Sequence, residues 1–180
     1  MKEVELLFKL DKIQAEQIQK RLKNFFVEKI KEKDIYLYPP HKEYSATNNG
    51  RENLRIRTSD KEKELCYKKV IYKNGKYSHA IEKNAKIDKE NDILDILLAA
   101  EFRIHLEILK KRSIYQDKNF KYTIDKVEGL GLFLEIEMLK CGENESLDHQ
   151  LIYKKANELG LFKIQDKGYL RLLEEKQATL

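Results

Sequence analysis

Residues 120–140, FKYTIDKVEGLGLFLEIEMLK, decide the fold that the rest of the chain must fit. Tyr122 and Ile124 alternate with polar residues in the first half, and Leu134 and Ile136 alternate with less apolar positions in the second. Alternation with a period of two is typical of a strand with one buried face. The glycines between the two halves allow turn conformations that other residues resist. The stretch therefore predicts two neighbouring strands joined by a turn.

Three carboxylates lie on the polar faces of these two predicted strands. They belong to Asp125, Glu135 and Glu137. Carboxylates held close together repel one another unless a cation lies among them. The hairpin is therefore a candidate cation-binding element.

The composition limits the class of protein. Of 180 residues, 41% are apolar and 37% are charged, which predicts one globular domain over residues 1–180. No apolar run approaches the roughly 18 residues of a membrane span, and the N-terminus lacks the features of a signal peptide. The two cysteines are too few for a disulfide framework. We therefore expect a cytoplasmic protein with no membrane partner.

The net charge of +5 permits an anionic partner. An alternative explanation is the lysine-rich composition alone, because acidic residues are almost as numerous as basic ones and are interspersed with them. The sequence contains no basic patch with interleaved aromatic residues, so we do not expect a nucleic-acid partner.

Other segments extend the pattern of strands and helices. Asp11, Asp88 and Ser146 are suited to cap three helices, the last of which ends at Gly160. Pro39 begins a loop that continues to about residue 50. Residues 73–76, KNGK, are a strong signal for a hairpin turn. The further strand-like segments are 3–10, 26–31, 33–38, 53–58, 64–71, 77–85 and 102–117. The prediction is one domain with roughly eight strands and three helices.

The charged residues of these strands separate by sign. Basic residues occur on three strands, at Arg55, Arg57, Lys68, Lys110 and Arg112. Acidic residues occur on three others, at Glu3, Glu5, Asp125, Glu135 and Glu137. If the sheet closes into a barrel, these faces would line its bore while helices cover the outside. Basic groups bind phosphate oxygens, and carboxylates bind Mg²⁺ or Mn²⁺, so the pattern fits a metal-bound polyphosphate.

An alternative interpretation is that these charges only face water, as alternate strand positions commonly do. In that interpretation Glu82 and Lys9 are surface charges. Tyr36 and Tyr115 then pack in the protein and do not stack on a base. The alternation alone is compatible with both interpretations.

An ordered set of motifs resembles the CYTH superfamily, which is named for CyaB-type class IV adenylyl cyclases and thiamine triphosphatases. Glu3 and Glu5 match the two glutamates of the family's N-terminal Glu-x-Glu-x-Lys strand. The later matches are LRIR at 54–57, YKK at 67–69, KKRSIY at 110–115, YTIDKVEGLGLFLEIE at 122–137 and GYLRLL at 168–173. The resemblance covers essentially the whole chain in the expected order.

The resemblance implies an α+β fold, an antiparallel eight-stranded tunnel-like β-barrel with a charged interior and helices packed outside. It implies Mg²⁺- or Mn²⁺-dependent work on triphosphates and a homodimer. The metal candidates are Glu3, Glu5, Glu135 and Glu137. The candidates for phosphate binding are Arg55, Arg57, Lys68, Lys110 and Arg112, and the catalytic candidates are Asp125 and Lys110. Glu82 also matches an acidic position of the family.

The chain departs from the family pattern where Leu7 replaces the lysine of the first motif. That lysine belongs to the charged network of the tunnel, so its loss implies weaker substrate binding or an altered reaction. Lys9 has the same parity but lies about 6–7 Å further along the strand. Further departures are Lys69 and Val70 in place of glycine and proline, and Leu132 in place of an acidic residue.

The resemblance is greatest to the cyclase branch, which converts ATP to cyclic AMP and pyrophosphate. Two alternatives stay open. One is a triphosphatase acting on tripolyphosphate, thiamine triphosphate or a nucleoside triphosphate. The other is a phosphate- or nucleotide-binding protein without turnover, which the replacement at Leu7 suggests. The first two need nearly the same phosphate-binding residues, so the charged positions do not separate them.

Overall fold

The computed structural model of the chain describes residues 2–42, 44 and 51–179. Its strands are β1 Lys2–Glu3, β2 Glu5–Leu10, β3 Phe26–Tyr38, β4 Arg51–Ser59, β5 Lys63–Lys73, β6 Lys76–Lys86, β7 Arg103–Gln116, β8 Phe120–Val127 and β9 Gly131–Met138. Its helices are α1 Lys12–Leu22, α2 Glu90–Ala99, α3 Glu145–Glu158 and α4 Tyr169–Gln177. The predicted loop after Pro39 lies mainly at positions outside the described residues.

The strands form one nine-stranded sheet in the order β1-β6-β5-β4-β3-β7-β8-β9-β2. Every ladder with a defined register is antiparallel. This confirms the predicted fold class, an α+β fold with a tunnel-like antiparallel β-barrel and helices outside it. Two details differ from the prediction. Val4 divides the first strand in two, and residues 26–38 form one continuous strand instead of two.

The chain divides into two compact units. The first unit comprises Met1–Lys2 and Lys31–Leu109, and the second comprises Glu3–Ile30 and Lys110–Leu180. The expectation of a single domain over residues 1–180 stays a prediction.

The β8–β9 hairpin forms the centre of the second unit, as the sequence predicts. Tyr122 and Ile124 of β8 lie opposite Ile136 and Leu134 of β9, and all four are buried. β2 extends this apolar face on the other side of β9, and α1 and α3 contact β9. Gly131 adopts a φ of +105° at the start of β9, a conformation that other residues resist.

The first unit is an antiparallel meander of β3, β4, β5 and β6. Ile35, Leu37 and Ile56 form the buried part of its apolar face, against which α2 packs through Ile93, Leu94 and Leu97. The turn between β5 and β6 has positive φ at both Asn74 and Gly75, as expected for a type I′ hairpin. The opposite face of these strands therefore remains available for polar side chains.

Local signals fix two helix ends as predicted. The Asp11 side chain accepts a hydrogen bond from the Gln14 backbone N–H at 2.7 Å, and the Gln14 side chain accepts one from the Asp11 N–H at 3.0 Å. This reciprocal pair is a capping box. At the end of α3, Gly160 has a φ of +84°. The N–H groups of Gly160 and Leu161 bond to Asn157 and Ala156, which is a Schellman motif.

The other predicted caps are wrong by one or two residues. The N-cap of α2 is Lys89 and not Asp88. The N-cap of α3 is Asn144 and not Ser146, because the Asn144 side chain accepts hydrogen bonds from the backbone N–H groups of Ser146 and Leu147. The segment around GYLRLL forms a fourth helix, α4, beyond the three that the sequence predicts. No helix in the described part of the chain is long and apolar enough to cross a membrane.

We expect Gly131→Ala to lower the free energy of unfolding by about 1–3 kcal/mol, because alanine disfavours the positive φ. A Cβ there meets no atom within 4 Å, so the cost comes from the backbone alone. Gly168→Ala is the matched control, since its φ of −69° suits alanine and its surroundings are equally open. Urea unfolding of both variants measures the difference, and equal losses would contradict this account of the turn.

Candidate functional site

Charged side chains of β3, β4, β5 and β6 share the face of the first unit that lies opposite its apolar core. The register places Asp34, Arg57 and Glu64 in one row, and Asn53, Lys68 and Glu82 in another. We call this set the first charged face. Its ionisable members are Glu32, Asp34, Arg51, Arg55, Arg57, Glu64, Cys66, Lys68 and Glu82.

Arg57 is held by two carboxylates of β3. Its guanidinium donates to both oxygens of Asp34, from Nε at 2.7 Å and from Nη2 at 3.1 Å. Nε also lies 2.9 Å from Glu32 Oε1. Asp34 is completely buried. Burial lowers the pKa of the Arg57 guanidinium, but the nearby carboxylates outweigh that effect and raise it, so Arg57 is a fixed cation.

Glu82 joins the two remaining predicted phosphate-binding residues of this unit. Its carboxylate lies 3.7 Å from Arg55 Nη2 and 3.5 Å from Lys68 Nζ. Burial raises the pKa of Glu82, but Lys68 and Arg55 overcome this and hold it well below its ordinary value. Only 7% of Glu82 is exposed, so the alternative interpretation of Glu82 as a surface charge is wrong.

Cys66 lies beneath the same carboxylate and is completely buried. Its thiol donates to Glu82 Oε1 at 3.2 Å. Burial raises the pKa of this thiol to about 12, and the negative charge of Glu82 acts in the same direction. Cys66 therefore stays protonated at neutral pH and is a hydrogen-bond donor, not a nucleophile.

The first charged face carries both signs, which differs from the segregation that the strand pattern predicts. Its inner part has four basic residues and four acidic ones: Arg51, Arg55, Arg57 and Lys68, and Glu32, Asp34, Glu64 and Glu82. Lys86, opposite Glu64, lies at the exposed edge of this face. A balanced face attracts a free polyanion less strongly than a purely basic one. A phosphate group that carries a divalent cation suits such a face better, because its own charge is partly neutralised.

Sequence reasoning missed Glu32, Asp34 and Arg51. Glu32 and Asp34 alternate with the same parity as Tyr36, but the prediction divided this strand at Glu32. Arg51 has the parity of Arg55, but the predicted strand began at Asn53. A continuous strand at each place would have revealed Glu32 and Arg51. Asp34 lies inside the predicted strand 33–38, where its parity with Tyr36 was the available signal.

Three carboxylates of the second unit lie on one face of β2 and β9. Glu5 is directly opposite Glu137, and Glu135 is two residues further along β9. Lys121 of β8 lies opposite Glu137, and its Nζ is 3.1 Å from Glu137 Oε2. We define the second charged face as the set of charged residues Glu5, Lys110, Arg112, Lys121, Asp125, Glu135 and Glu137.

Arg112 and Asp125 form a buried bidentate ion pair across the β7–β8 ladder. The two hydrogen bonds measure 2.9 Å to Oδ1 and 2.7 Å to Oδ2. Tyr169, the first residue of α4, donates its hydroxyl to Asp125 Oδ2 at 3.0 Å. Burial raises the pKa of Asp125, but Arg112 outweighs it and lowers the pKa below its usual value. Asp125 is therefore an ionised group that orients Arg112 and Tyr169.

Lys110 and Glu135 complete this arrangement. Lys110 is buried, and its Nζ lies 5.7 Å from the centre of the Tyr169 ring. Arg112 Nη2 lies 3.9 Å from Glu135 Oε1, so one guanidinium contacts two carboxylates. The structure thus brings Arg112, Asp125 and Glu135 together, with Lys110 beside Tyr169.

Two N-terminal residues lie apart from this arrangement. Glu3 is on β1, outside the β2–β9 ladder that aligns Glu5 with Glu137. Lys9 is opposite Phe133 and is exposed, as expected for a surface charge. Leu7 lies opposite Glu135, so β2 contributes an apolar side chain at this position of the acidic face.

The carboxylates of the second charged face fit an open metal site and not a closed one. Within residues 2–42, 44 and 51–179, no group of three or more His, Cys, Asp or Glu side chains is arranged to hold a metal ion. Mg²⁺ commonly binds proteins through one or two carboxylates and takes its other ligands from water and substrate phosphates. The facing pair Glu5 and Glu137, with Glu135 beside it, has the donor chemistry for that mode.

Comparisons with known proteins agree on one family. A sequence profile of the CYTH domain matches residues 1–169. A protein of Methanocaldococcus jannaschii, named as a candidate adenylate cyclase, is 33% identical over 177 residues, which cover 96% of this chain and 98% of that protein.

Solved structures share the fold over nearly the whole chain. One from Pyrococcus horikoshii is 28% identical, has a TM-score of 0.78 and covers 97% of this chain and 99% of its own. Another, a candidate adenylyl cyclase from Hippeastrum with a dominant triphosphatase activity, is 14% identical. It has a TM-score of 0.70 and covers 97% of this chain and 95% of its own, and it supports the fold alone.

We expect Asp125→Asn to destabilise the protein by about 3 kcal/mol or more at pH 7, because it leaves the buried Arg112 without its counter-ion. Arg112 holds the pKa of Asp125 in the folded protein below its value in the unfolded chain. Its contribution to stability is therefore present above about pH 4 and is lost as the pH falls through the folded-state pKa. Urea unfolding at pH 7 and pH 3 should show that the difference between variant and wild type shrinks at the lower pH.

Asp166→Asn is the control for this measurement, because Asp166 is exposed. It should change stability little at either pH. A deficit in Asp125→Asn that is equally large at both pH values would show that the ionised carboxylate does not supply the stability.

Proposed function

The chain belongs to the CYTH domain family, and from this premise we propose that it is a metal-dependent enzyme that acts on a triphosphate. The reaction that we propose is that of a class IV adenylyl cyclase, which converts ATP to cyclic AMP and pyrophosphate. The observation that carries the proposal is the number of buried cations held in fixed orientations by carboxylates. Buried ion pairs commonly add little net stability, so their concentration on two faces is more typical of ligand binding.

Phosphate binding is the role that we assign to the basic residues of both faces. They are Arg55, Arg57 and Lys68 in the first unit, and Lys110 and Arg112 in the second. A guanidinium already fixed by a carboxylate loses less conformational entropy when it binds a phosphate oxygen. The carboxylates Glu32, Asp34 and Asp125 therefore act as positioning residues.

The divalent cation, Mg²⁺ or Mn²⁺, is assigned to Glu5, Glu135 and Glu137, and the family resemblance adds Glu3 to this set. A bound cation would neutralise charge on the phosphates and lower the pKa of the attacking hydroxyl. Arg112 lies beside Glu135, and Lys110 lies beside Tyr169. Both would stabilise negative charge that develops on the leaving phosphate. We propose that Asp125 acts through Arg112 and not by contact with the substrate, because it is completely buried.

In the cyclase reaction the ribose 3′-oxygen attacks the α-phosphorus and forms a new phosphorus–oxygen bond. The bond between the α-phosphorus and its bridging oxygen to the β-phosphorus breaks, and pyrophosphate leaves. The hydroxyl proton is lost to solvent. The basic residues hold the phosphate chain so that the nucleophile and the leaving group lie in line.

A triphosphatase is the second candidate, because its substrate needs nearly the same phosphate-binding residues. The Hippeastrum protein of the same fold has a dominant activity of that kind. Water would then attack a terminal phosphorus of tripolyphosphate, thiamine triphosphate or a nucleoside triphosphate. A third candidate is binding without turnover, which the apolar Leu7 opposite Glu135 favours. A cytoplasmic location, a homodimer and the absence of a nucleic-acid partner remain predictions from the sequence.

Product analysis separates these candidates. The purified protein is incubated with ATP, and separately with tripolyphosphate, in Mg²⁺ or Mn²⁺. Cyclic AMP with pyrophosphate supports the cyclase. Orthophosphate without cyclic AMP supports the triphosphatase, and no turnover of either substrate while both bind supports the binding protein.

We expect Glu135→Gln to lower kcat by about 10²–10³-fold, because it removes one charge from the proposed metal-binding group. Glu128→Gln, in the exposed turn of the same hairpin, should leave the rate unchanged. Circular dichroism of both variants tests that they are folded. Mg²⁺-dependent turnover at the wild-type rate in folded Glu135→Gln would remove this residue from the metal site.

We expect Lys68→Met to raise the KM for the triphosphate about tenfold, because it removes one charge-assisted hydrogen bond to phosphate. Lys69→Met is the matched control, since Lys69 is the next residue on β5 and points to the opposite face. Steady-state kinetics of the two variants measure the effect. Similar KM values for both variants would exclude Lys68 from the phosphate-binding residues.

A further inference from the structure

Lys121 faces the acidic group of the second unit but has no part in the function proposed so far. It lies on β8 directly opposite Glu137, which in turn lies opposite Glu5 on β2. Its Nζ is 3.1 Å from Glu137 Oε2. Both side chains are partly buried, with 32% of Lys121 and 19% of Glu137 exposed. The ion pair therefore belongs to the wall of the acidic face and not to the outer surface.

Arg112, a second cation near these carboxylates, is already engaged. Arg112 lies 3.9 Å from Glu135 but donates its two short hydrogen bonds to Asp125. Its charge is therefore shared between two carboxylates. Lys121 makes its 3.1 Å hydrogen bond to Glu137 itself, so its ammonium is the more direct counter-ion of this group.

The neighbouring strand supplies no cation at the same level. Leu7 faces Glu135, and Lys9 lies two residues further on, opposite Phe133. Facing like charges such as Glu5 and Glu137 destabilise a strand pair. A cation from β8 offsets that repulsion, and Lys121 is the β8 residue in register to do so.

We propose that Lys121 is a built-in counter-ion that occupies the acidic group of Glu5, Glu135 and Glu137 in the absence of substrate. A free divalent cation must compete with its ammonium for Glu137. When a metal–triphosphate complex binds, the ammonium exchanges its carboxylate partner for a phosphate oxygen, because the flexible lysine side chain can follow either anion. Lys121 thus favours the metal–triphosphate complex over free metal. This inference rests on the metal site assigned under the proposed function.

Lys121→Met separates the two parts of this role. Removing a unit positive charge next to Glu137 should raise the affinity for Mn²⁺ alone about tenfold, because like charges no longer repel. The same variant should bind tripolyphosphate in EDTA about tenfold more weakly, because one phosphate partner is lost. A change that merely damages the fold would weaken both affinities, so opposite changes identify the counter-ion role.

Two further variants make the test specific. Lys126→Met removes a lysine from the same strand, but Lys126 is exposed and points to the other face, so both affinities should stay at wild-type values. Leu7→Lys in the Lys121→Met background adds an ammonium opposite Glu135. This double variant should return both affinities toward wild type, because the acidic group regains one counter-ion.

Isothermal titration calorimetry with Mn²⁺ alone, and with tripolyphosphate in EDTA, measures these affinities. Thermal unfolding without metal is an independent measurement. We expect Lys121→Met to lower Tm by about 3 °C, Lys126→Met to leave it unchanged and the double variant to recover it. Equal Mn²⁺ affinity and equal Tm in Lys121→Met and Lys126→Met would overturn the proposal.

The outcome for wild type distinguishes this inference from the proposed function. If wild-type protein binds no Mn²⁺, the metal assignment of the proposed function fails, and the exchange of partners at Glu137 fails with it. The Tm comparison still decides whether Lys121 is the counter-ion of the acidic group. If Mn²⁺ binds wild type and all variants equally, the metal assignment stands and the role of Lys121 is refuted.

Discussion

The buried ion pair between Arg112 and Asp125 is the interaction on which the second unit depends. Two short hydrogen bonds join β7 to β8 through these side chains, and Tyr169 brings the start of α4 to the same carboxylate. Taking both charges out of water is costly, and only good geometry with further hydrogen bonds offsets that cost. The pair therefore constrains two strands and a helix to one arrangement. As a consequence, the guanidinium beside Glu135 has a defined orientation.

The same principle organises the first unit, although its residues differ. Arg57 is fixed by Asp34 and Glu32, while Arg55 and Lys68 share Glu82. Each basic side chain that we propose to bind phosphate is thus held in place by a carboxylate, although that carboxylate itself repels an anionic ligand. The carboxylates weaken the electrostatic attraction of the face for phosphate, but they fix the orientation of the basic side chains. Under the proposed function, such a face would favour phosphate groups that carry a divalent cation, because it has little excess positive charge.

The two proposed reactions place the same demands on these faces. Attack by a ribose hydroxyl and attack by water both require a fixed phosphate chain and stabilised charge on the leaving group. They differ in where the nucleophile lies along the chain, which the basic residues do not determine. Because β2 places the apolar Leu7 opposite Glu135, the cations that contact Glu135 and Glu137 here come from β7 and β8, at Arg112 and Lys121.

The sequence by itself determined most of the strands, the buried faces of the β8–β9 hairpin and the positions of the glycine turns, because these features depend on local periodicity and on backbone preferences near each residue. The break within residues 2–10 and the continuity of residues 26–38 were not determined in this way. The sequence also determined that Asp125, Glu135 and Arg112 lie on polar strand faces. Only the tertiary structure decided that Glu32 and Asp34 hold Arg57, that Glu82 is buried, and that Tyr169 reaches Asp125. These contacts join residues that are distant in sequence: Arg57 and Asp34 are 23 positions apart, and Tyr169 and Asp125 are 44 positions apart. They depend on which strands are neighbours and in what register, and one sequence pattern is compatible with many such pairings.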